Sequence, residues 1–214
     1  MTRLVIVRHG ETAWNAEHRV QGQLDVPLND TGRRQAHAVA TVLGKERFSV
    51  IYSSDLGRAR QSAAPTAAAP TAAALGMEVT LDPALRERHY GDFETLTYAE
   101  VKLKYPEEYA RFDRREPDFS FGTGESLRDF SARAVKGVAS IASRHPDQDV
   151  LLFTHGGVLD MVYRDITGLS ISAPRDFGIP NCGINRVGAG PGGWQILDWA
   201  NKRHLEGALD DLPQ

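Results

Sequence analysis

Five side chains scattered over the chain have the chemistry to act together. They are Arg8 and His9 in Leu4-Val5-Ile6-Val7-Arg8-His9-Gly10, Arg58 in Ser53-Ser54-Asp55-Leu56-Gly57-Arg58, Glu87 in Leu85-Arg86-Glu87, and His155 in Thr154-His155-Gly156. An arginine forks two N–H donors onto an anionic oxygen, and Gly10 admits close backbone approach because it has no Cβ. The charge of Arg8 disfavours protonation of His9. A neutral imidazole keeps a lone pair that can attack phosphorus. The plainer account of this stretch, in which Arg8 caps a carbonyl and His9 is a satisfied loop histidine, stays equally open from these residues alone.

Taken together, two guanidinium groups and a second imidazole around one histidine make an anion cage, and the carboxyl of Glu87 supplies a proton donor. A metal site built from His9, His155 and Glu87 would have Arg8 and Arg58 repelling the cation. A serine hydrolase calls for Gly-x-Ser-x-Gly and a P-loop for Gly-x-x-x-x-Gly-Lys-Ser/Thr, and the chain has neither.

The elements that must position these groups alternate between strand and helix. Leu4–Val7, Val50–Tyr52 and Val150–Phe153 are short apolar runs typical of buried strands, and Glu78–Leu81 alternates as a third strand. Between them, Ala36, Val39, Ala40 and Leu43 form the apolar stripe of a helix starting at Thr31, with Arg33, Arg34 and Lys45 toward water. Leu127, Phe130, Ala134, Val138 and Ile141 mark a helix capped by Ser126 with Asp129 and running to about Arg144, and another spans Val158 to Thr167, stopping at Gly168. Such alternation predicts a mostly parallel sheet with right-handed crossovers, whose strands end on one side. Ligands of open α/β sheets bind there. If the strands are neighbours, the five side chains converge.

Residues 92–124 are polar and aromatic, with helical pieces around Tyr98–Lys104 and Glu107–Arg114, and read as a lid over the ligand edge. Ile184–Val187 and Trp194–Trp199 flank Gly188–Gly193 as a C-terminal β-hairpin at the sheet edge. Ala63–Ala67 is repeated at once as Ala68–Ala72. Its prolines, Pro65 and Pro70, should kink or split a helix at roughly 3 kcal/mol each. We read the repeat as a solvent-facing duplication without function.

The chain has 214 residues and a formal charge of -3, which suits one domain over residues 1–214 and gives no global attraction for nucleic acid or an anionic membrane. Cys182 is the single cysteine, so no intramolecular disulfide or thiolate metal site can form. No apolar run is long enough for a signal peptide or a membrane span. A cytoplasmic location is expected.

Leu4 to Asn15 (LVIVRHGETAWN), Ser53 to Arg58 followed by Ala59, Leu85-Arg86-Glu87 and Thr154-His155-Gly156 together resemble the histidine phosphatase superfamily, in its phosphoglycerate-mutase-like branch. The resemblance spans nearly the whole chain in order. It implies an α/β three-layer sandwich, a mostly parallel central sheet flanked by helices, and a phosphohistidine intermediate. It makes His9 the nucleophile, Arg8, Arg58 and His155 the clamp on the phosphoryl oxygens, and Glu87 the acid for the leaving group and then the base for water. Asn15, Gln21, Gly22 and Gly156 match positions lining the phosphate pocket; Thr12, Arg60 and Tyr90 are further substrate-binding candidates. The activity implied is that of a metal-independent, cofactor-free histidine acid-phosphatase-type enzyme acting on a small phosphorylated metabolite. A homodimer is left open.

Two other readings stand beside it. Glu87-Arg88-His89-Tyr90-Gly91 looks like the mutase form of that loop, and Arg114-Arg115 offer charge for a second anionic group. Against a mutase, Tyr98 stands where such enzymes usually place a lysine, and the lid is short. A non-catalytic phosphoester-binding module is the third reading. Arg60 lies two helical residues past Arg58, about 200° away, and reaches the site only from an irregular first turn. His18, His37 and His145 read as solvated, His89 as orienting Glu87 or packing under the lid, and Trp194 and Trp199 as hairpin packing. Arg86 and Arg88 are candidates for steering an acidic substrate, and Tyr90, Phe112 and Phe119 for lining the leaving-group side.

Overall fold

The computed structural model describes residues 1–74 and 76–206. In chain order these form β1 (Thr2–Arg8), α1 (Ala13–Ala16), α2 (Asp30–Leu43), β2 (Val50–Ser53), α3 (Gly57–Ala67), α4 (Pro70–Ala74), β3 (Val79–Leu81), α5 (Tyr98–Lys104), α6 (Pro106–Asp113), α7 (Leu127–Arg144), β4 (Asp149–Thr154), α8 (Gly156–Thr167), β5 (Ile184–Gly190) and β6 (Gly193–Asn201). The strands join in one sheet of order β3-β2-β4-β1-β5-β6. Its first four members run parallel, and β5 and β6 close one edge as an antiparallel hairpin.

Strand alternation builds two cores at once, because successive side chains point to opposite faces. Leu4, Ile6, Val150 and Leu152 pack against α7 and α8, whereas Val5, Val7, Leu151 and Phe153 pack against α2 and α3. All eight are buried. Both sheet faces are therefore covered, which is why these strands read as unbroken apolar runs. The result is the three-layer α/β arrangement with a mostly parallel sheet. Among the described residues no helix is long and apolar enough to cross a membrane.

Local signals set most boundaries. Asn29 accepts from Gly32 N at 2.8 Å and so starts α2 at Asp30, one residue before the expected Thr31. Ser126 caps α7, and α8 ends at Gly168 in the left-handed region (φ 69°) that glycine adopts without a Cβ penalty. The hairpin turn is tighter than expected: Gly188 and Ala189 remain in β5 because β1 pairs them from one side and β6 from the other. The alanine–proline repeat is not a solvent-facing duplication. Ala63, Thr66 and Ala72 are buried, and small side chains there let α3 and α4 lie close to the sheet. Pro65 falls in the last turn of α3, where it interrupts little, while Pro70 does split the segment by opening α4.

The excursion after β3 has a core of its own. Phe93, Val101 and Phe119 bury against Val20, ringed by Tyr105, Phe112 and Phe121; the Phe93 and Phe121 rings lie 4.4 Å apart. Backbone bonds from Val20 N to Leu96 O (2.9 Å), Thr95 N to Val20 O (3.0 Å) and Tyr98 N to His18 O (3.1 Å) stitch it to the loop after α1. Phe119 is therefore part of this excursion's interior, not of a ligand wall. Phe93→Ala should cost about 3–5 kcal/mol locally. Hydrogen exchange checks this: protection of residues 91–121 should fall well below that of β1 and β4.

Candidate active site

Register brings the two histidines together. Arg8 pairs with Thr154 across β1 and β4, and the ladder continues one step to His9 N donating to Thr154 O at 2.8 Å. His9 and His155 thus leave adjacent strand ends side by side, buried, with ring centroids 5.1 Å apart. His9 Nδ1 lies 2.7 Å from the carbonyl of Gly10. A carbonyl only accepts, so Nδ1 carries the hydrogen and Nε2 holds the free lone pair. Burial, then the charges of Arg58 and Arg8, push the His9 pKa well below its ordinary value and keep the ring neutral. Burial, then Arg58, does the same to His155.

β2 supplies a residue that sequence reasoning missed. Ser54 Oγ accepts from Leu56 N at 3.3 Å and lies 2.8 Å from His155 Nε2; among the described residues that nitrogen is the one acceptor placed for the Ser54 hydrogen, so the hydroxyl is satisfied when it donates to Nε2. The proton of the neutral His155 ring then sits on Nδ1, a buried donor with no partner among the described residues.

Two arginines are held by carbonyls instead of carboxylates. Arg8 Nη1 donates to Ile179 O at 2.7 Å, so the plain carbonyl-capping account of Arg8 is half right. Arg58 donates to Leu24 O (2.8 Å) and Gly22 O (2.7 Å). The Nε of each is buried and has no hydrogen-bond partner among the described residues. Burial pulls the Arg58 pKa down to about 10, and the full charge is still present at neutral pH. Three orphaned donors, Arg8 Nε, Arg58 Nε and His155 Nδ1, call for an anion.

Glu87 completes the wall. Its carboxylate accepts from Arg88 N (2.8 Å) and from Gly157 N in the first turn of α8 (3.0 Å). A Cβ on Gly157 would lie 2.1 Å from Glu87 Oε1, so this approach requires glycine. Arg133 on α7, unnoticed in the sequence, fixes the acid's loop by donating to Ala84 O, Arg86 O and Glu87 O at 2.9–3.1 Å. Among the described residues no group of three or more His, Cys, Asp or Glu side chains is placed to hold a metal ion.

A cavity of about 380 Å³ opens at this site; His155, fully buried, is not in its wall, but Arg8, His9, Asn15, Gln21, Gly22, Arg58, Glu87 and Tyr90 all line it. Thr12 does not: it caps α1 and bonds to Gln21 Oε1 at 2.9 Å, acting from behind. Gly156 packs against the Arg8 guanidinium. Arg60 is exposed and outside the cavity, because α3 begins as a regular helix and carries it round to another face. Arg86 is spent on Asp55 (2.7 and 2.6 Å), and Arg88 is buried on the carbonyls of Phe119 and Glu125, so neither is a free steering charge. Arg114 pairs with Glu116, and Arg115 with Asp160. His18 and His37 are exposed, as expected, although His18 also borders the mouth of the cavity; His145 bonds to Tyr52 at 3.0 Å and is not simply solvated. His89 Nε2 lies 3.8 Å from Glu94, on the lid side. Trp194 and Trp199 pack in the hairpin as expected. Trp14, which lies within the stretch Leu4 to Asn15, and Tyr98 also line the cavity, as do Arg19, Arg175 and Asn181, which no motif in the sequence marks.

Fold and site define a class: an α/β protein with a neutral histidine in an anion cage at its strand ends. Residues 4–202 match the histidine phosphatase superfamily (branch 1), and the chain belongs to it. It is similar to phosphoglycerate mutase-like protein 4 of Arabidopsis thaliana, 40% identical over 95% of this chain and 86% of that one. It is also similar to the metal-independent phosphoserine phosphatase of Arabidopsis thaliana, 39% identical over 96% and 84%. Among solved structures, mycobacterial glucosyl-3-phosphoglycerate phosphatase complexed with VO3 superposes with TM-score 0.80 at 35% identity, over 94% of this chain and 99% of that one.

Two measurements test the site's proton inventory. Both rings fold neutral but take up protons when unfolded, so their stabilising contribution is full above the ordinary histidine value of 6.5 and is lost as pH falls below it. Denaturant titrations from pH 8 to 5 should show a decline of up to about 1.4 kcal/mol per pH unit per ring, and His9→Gln with His155→Gln should flatten it. In Ser54→Ala, the ¹⁵N shifts of His155 should change from the Nδ1–H form to a mixture of tautomers.

Proposed function

We propose that this protein is a metal-independent phosphatase that hydrolyses a small phosphomonoester through a phosphohistidine on His9. One observation carries the reading: His9 spends its Nδ1–H on Gly10 O, and its Nε2 lone pair is left in a cavity walled by two arginines whose Nε donors have no partner among the described residues. Phosphoryl transfer is mostly positioning and charge stabilisation, and fixed donors around the phosphorus supply both.

In this reading Nε2 attacks phosphorus as the ester P–O bond breaks, and protonated Glu87 gives its proton to the leaving oxygen. Arg8, Arg58 and His155 hold the equatorial oxygens. Water then attacks the phosphohistidine while the Glu87 carboxylate takes its proton. The P–N bond breaks, and inorganic phosphate leaves with His9 neutral again. The acid-phosphatase type, a single domain over residues 1–214 with residues 92–124 as its lid, and a cytoplasmic location belong to the same proposal. Two similar proteins bear phosphatase names, one of them metal-independent.

The mutase alternative is supported by several similar proteins that bear mutase names, the mutase-like protein 4 and probable phosphoglycerate mutases among them. Arg114 and Arg115 give it none, since carboxylates already hold both. Incubation with 3-phosphoglycerate and a bisphosphoglycerate primer separates the two: the phosphatase reading expects released phosphate, and efficient conversion to 2-phosphoglycerate without release would replace it. Hydrolysis of an aryl phosphate should continue undiminished with chelator present. His9→Ala should lower it at least about 1000-fold and abolish the acid-labile, alkali-stable phosphoryl-enzyme trapped by rapid quench. Binding without turnover in the native protein would favour the non-catalytic module.

A further inference from the structure

The catalytic cavity continues past Glu87. A second cavity of about 330 Å³ adjoins it and shares Tyr90 and Arg175 in its wall. Gly157, whose N–H holds the Glu87 carboxylate, lines this second space from the α8 side. The proposed proton donor therefore stands at the junction. An ester whose phosphate lies against Arg8, His9 and Arg58, and whose leaving oxygen meets Glu87, has to direct its leaving group into the second cavity.

The chemistry of that cavity is mixed. Leu127, Phe130 and Met161, all buried residues of α7 and α8, give it an apolar floor, and Phe112 adds an aromatic side from the lid. At about 30 Å³ each it has room for on the order of ten non-hydrogen atoms. Two of its charged side chains, Arg175 and Asp113, have no ion pair among the described residues. Asp160 is held by Arg115 (2.6 Å) and Arg164 (3.0 Å). Arg88 is bound to carbonyls, and Arg19, at the mouth of the first cavity, pairs with Glu17 and Glu100. Arg175, on the loop after α8, has neither an ion pair nor a side-chain hydrogen bond among the described residues, although it borders both cavities. It lies close enough to Arg8 for their charges to oppose one another. Asp113 lines the second cavity as well, and neither an ion pair nor a hydrogen bond joins it to Arg175 among the described residues.

We propose that the second cavity is the leaving-group subsite and that Arg175 is its specificity residue, selecting phosphomonoesters whose short, partly apolar leaving group ends in a carboxylate. The assignment rests on the phosphatase reading above and adds the substrate class to it. Arg175 does not touch the reacting atoms; it orients the far end of the substrate by a charge-assisted hydrogen bond.

The test compares 4-(carboxymethyl)phenyl phosphate with its neutral carboxamide, two esters of like size and similar leaving-group acidity. The native protein should favour the carboxylate by about tenfold in kcat/KM, or 1.4 kcal/mol, with most of the difference in KM. Arg175→Ala should bring the ratio close to one, and Arg175→Lys should restore part of it. Arg175 is exposed, so an unchanged far-UV spectrum and melting temperature in both variants will show that folding is intact. Equal efficiencies for the two esters in the native protein, or an unchanged ratio in Arg175→Ala, would overturn the assignment while leaving the phosphatase reading in place. Hydrolysis of neither ester would remove both.

Discussion

Two guanidinium groups brought to one point, with the Glu87 carboxylate facing the same cavity but no ion pair to either among the described residues, are the costly feature around which this molecule is arranged. Burying a charge without a counter-ion is expensive, and the fold meets the expense with neutral dipoles: Ile179 O for Arg8, and Leu24 O and Gly22 O for Arg58. Carbonyls orient the forks and leave the charge unspent. A carboxylate partner would have neutralised the arginines and made them part of the scaffold, which is the fate of Arg86 with Asp55 and Arg115 with Asp160. Burial first, and then the same positive field, keep His9 and His155 neutral, so the arrangement that attracts an anion also helps to preserve the lone pair that would attack it.

Holding that arrangement takes more structure than the five central residues. Ser62 Oγ accepts from Gly10 N and donates to Arg58 O, which joins the loop after β1 to the first turns of α3. Asn181 donates to His9 O at 3.0 Å from the far side. Arg133 ties the segment carrying Glu87 to α7, and Glu125 in turn ties Arg133, at 2.7 Å from its Nε. The acid is thus placed from the opposite layer to the one that places Arg58, and the cavity forms where the two layers meet beyond the strand ends.

The lid shows why part of the fold escaped detection. Its helices were legible, since Thr97 with Glu100 forms a full capping box and Pro106 starts α6. Its interior was not. Phe93, Val101 and Phe119 are single apolar residues among polar neighbours, without the period of a strand or a long helix, and they become a core only when folded against Val20, more than seventy positions away. Arg88 was obscured for a related reason: an arginine on a loop reads as exposed until the carbonyls of Phe119 and Glu125 close over it. The alanine–proline repeat looked like solvent-facing filler because composition does not say which face of a helix is covered.

By itself the sequence determined which segments would be strands and helices, that their carboxyl ends would meet, and that arginine, imidazole and carboxyl groups waited there. These follow from short-range physics, the period of apolar residues and the capping and turn chemistry near them. Tertiary structure alone decided which nitrogen of His9 is free, that Ser54 faces His155, that Arg60 turns away, and that Arg175 stands between two cavities without a partner among the described residues. Each of those depends on strand register or on contacts between residues far apart in the chain, and neither is written in the local order of amino acids.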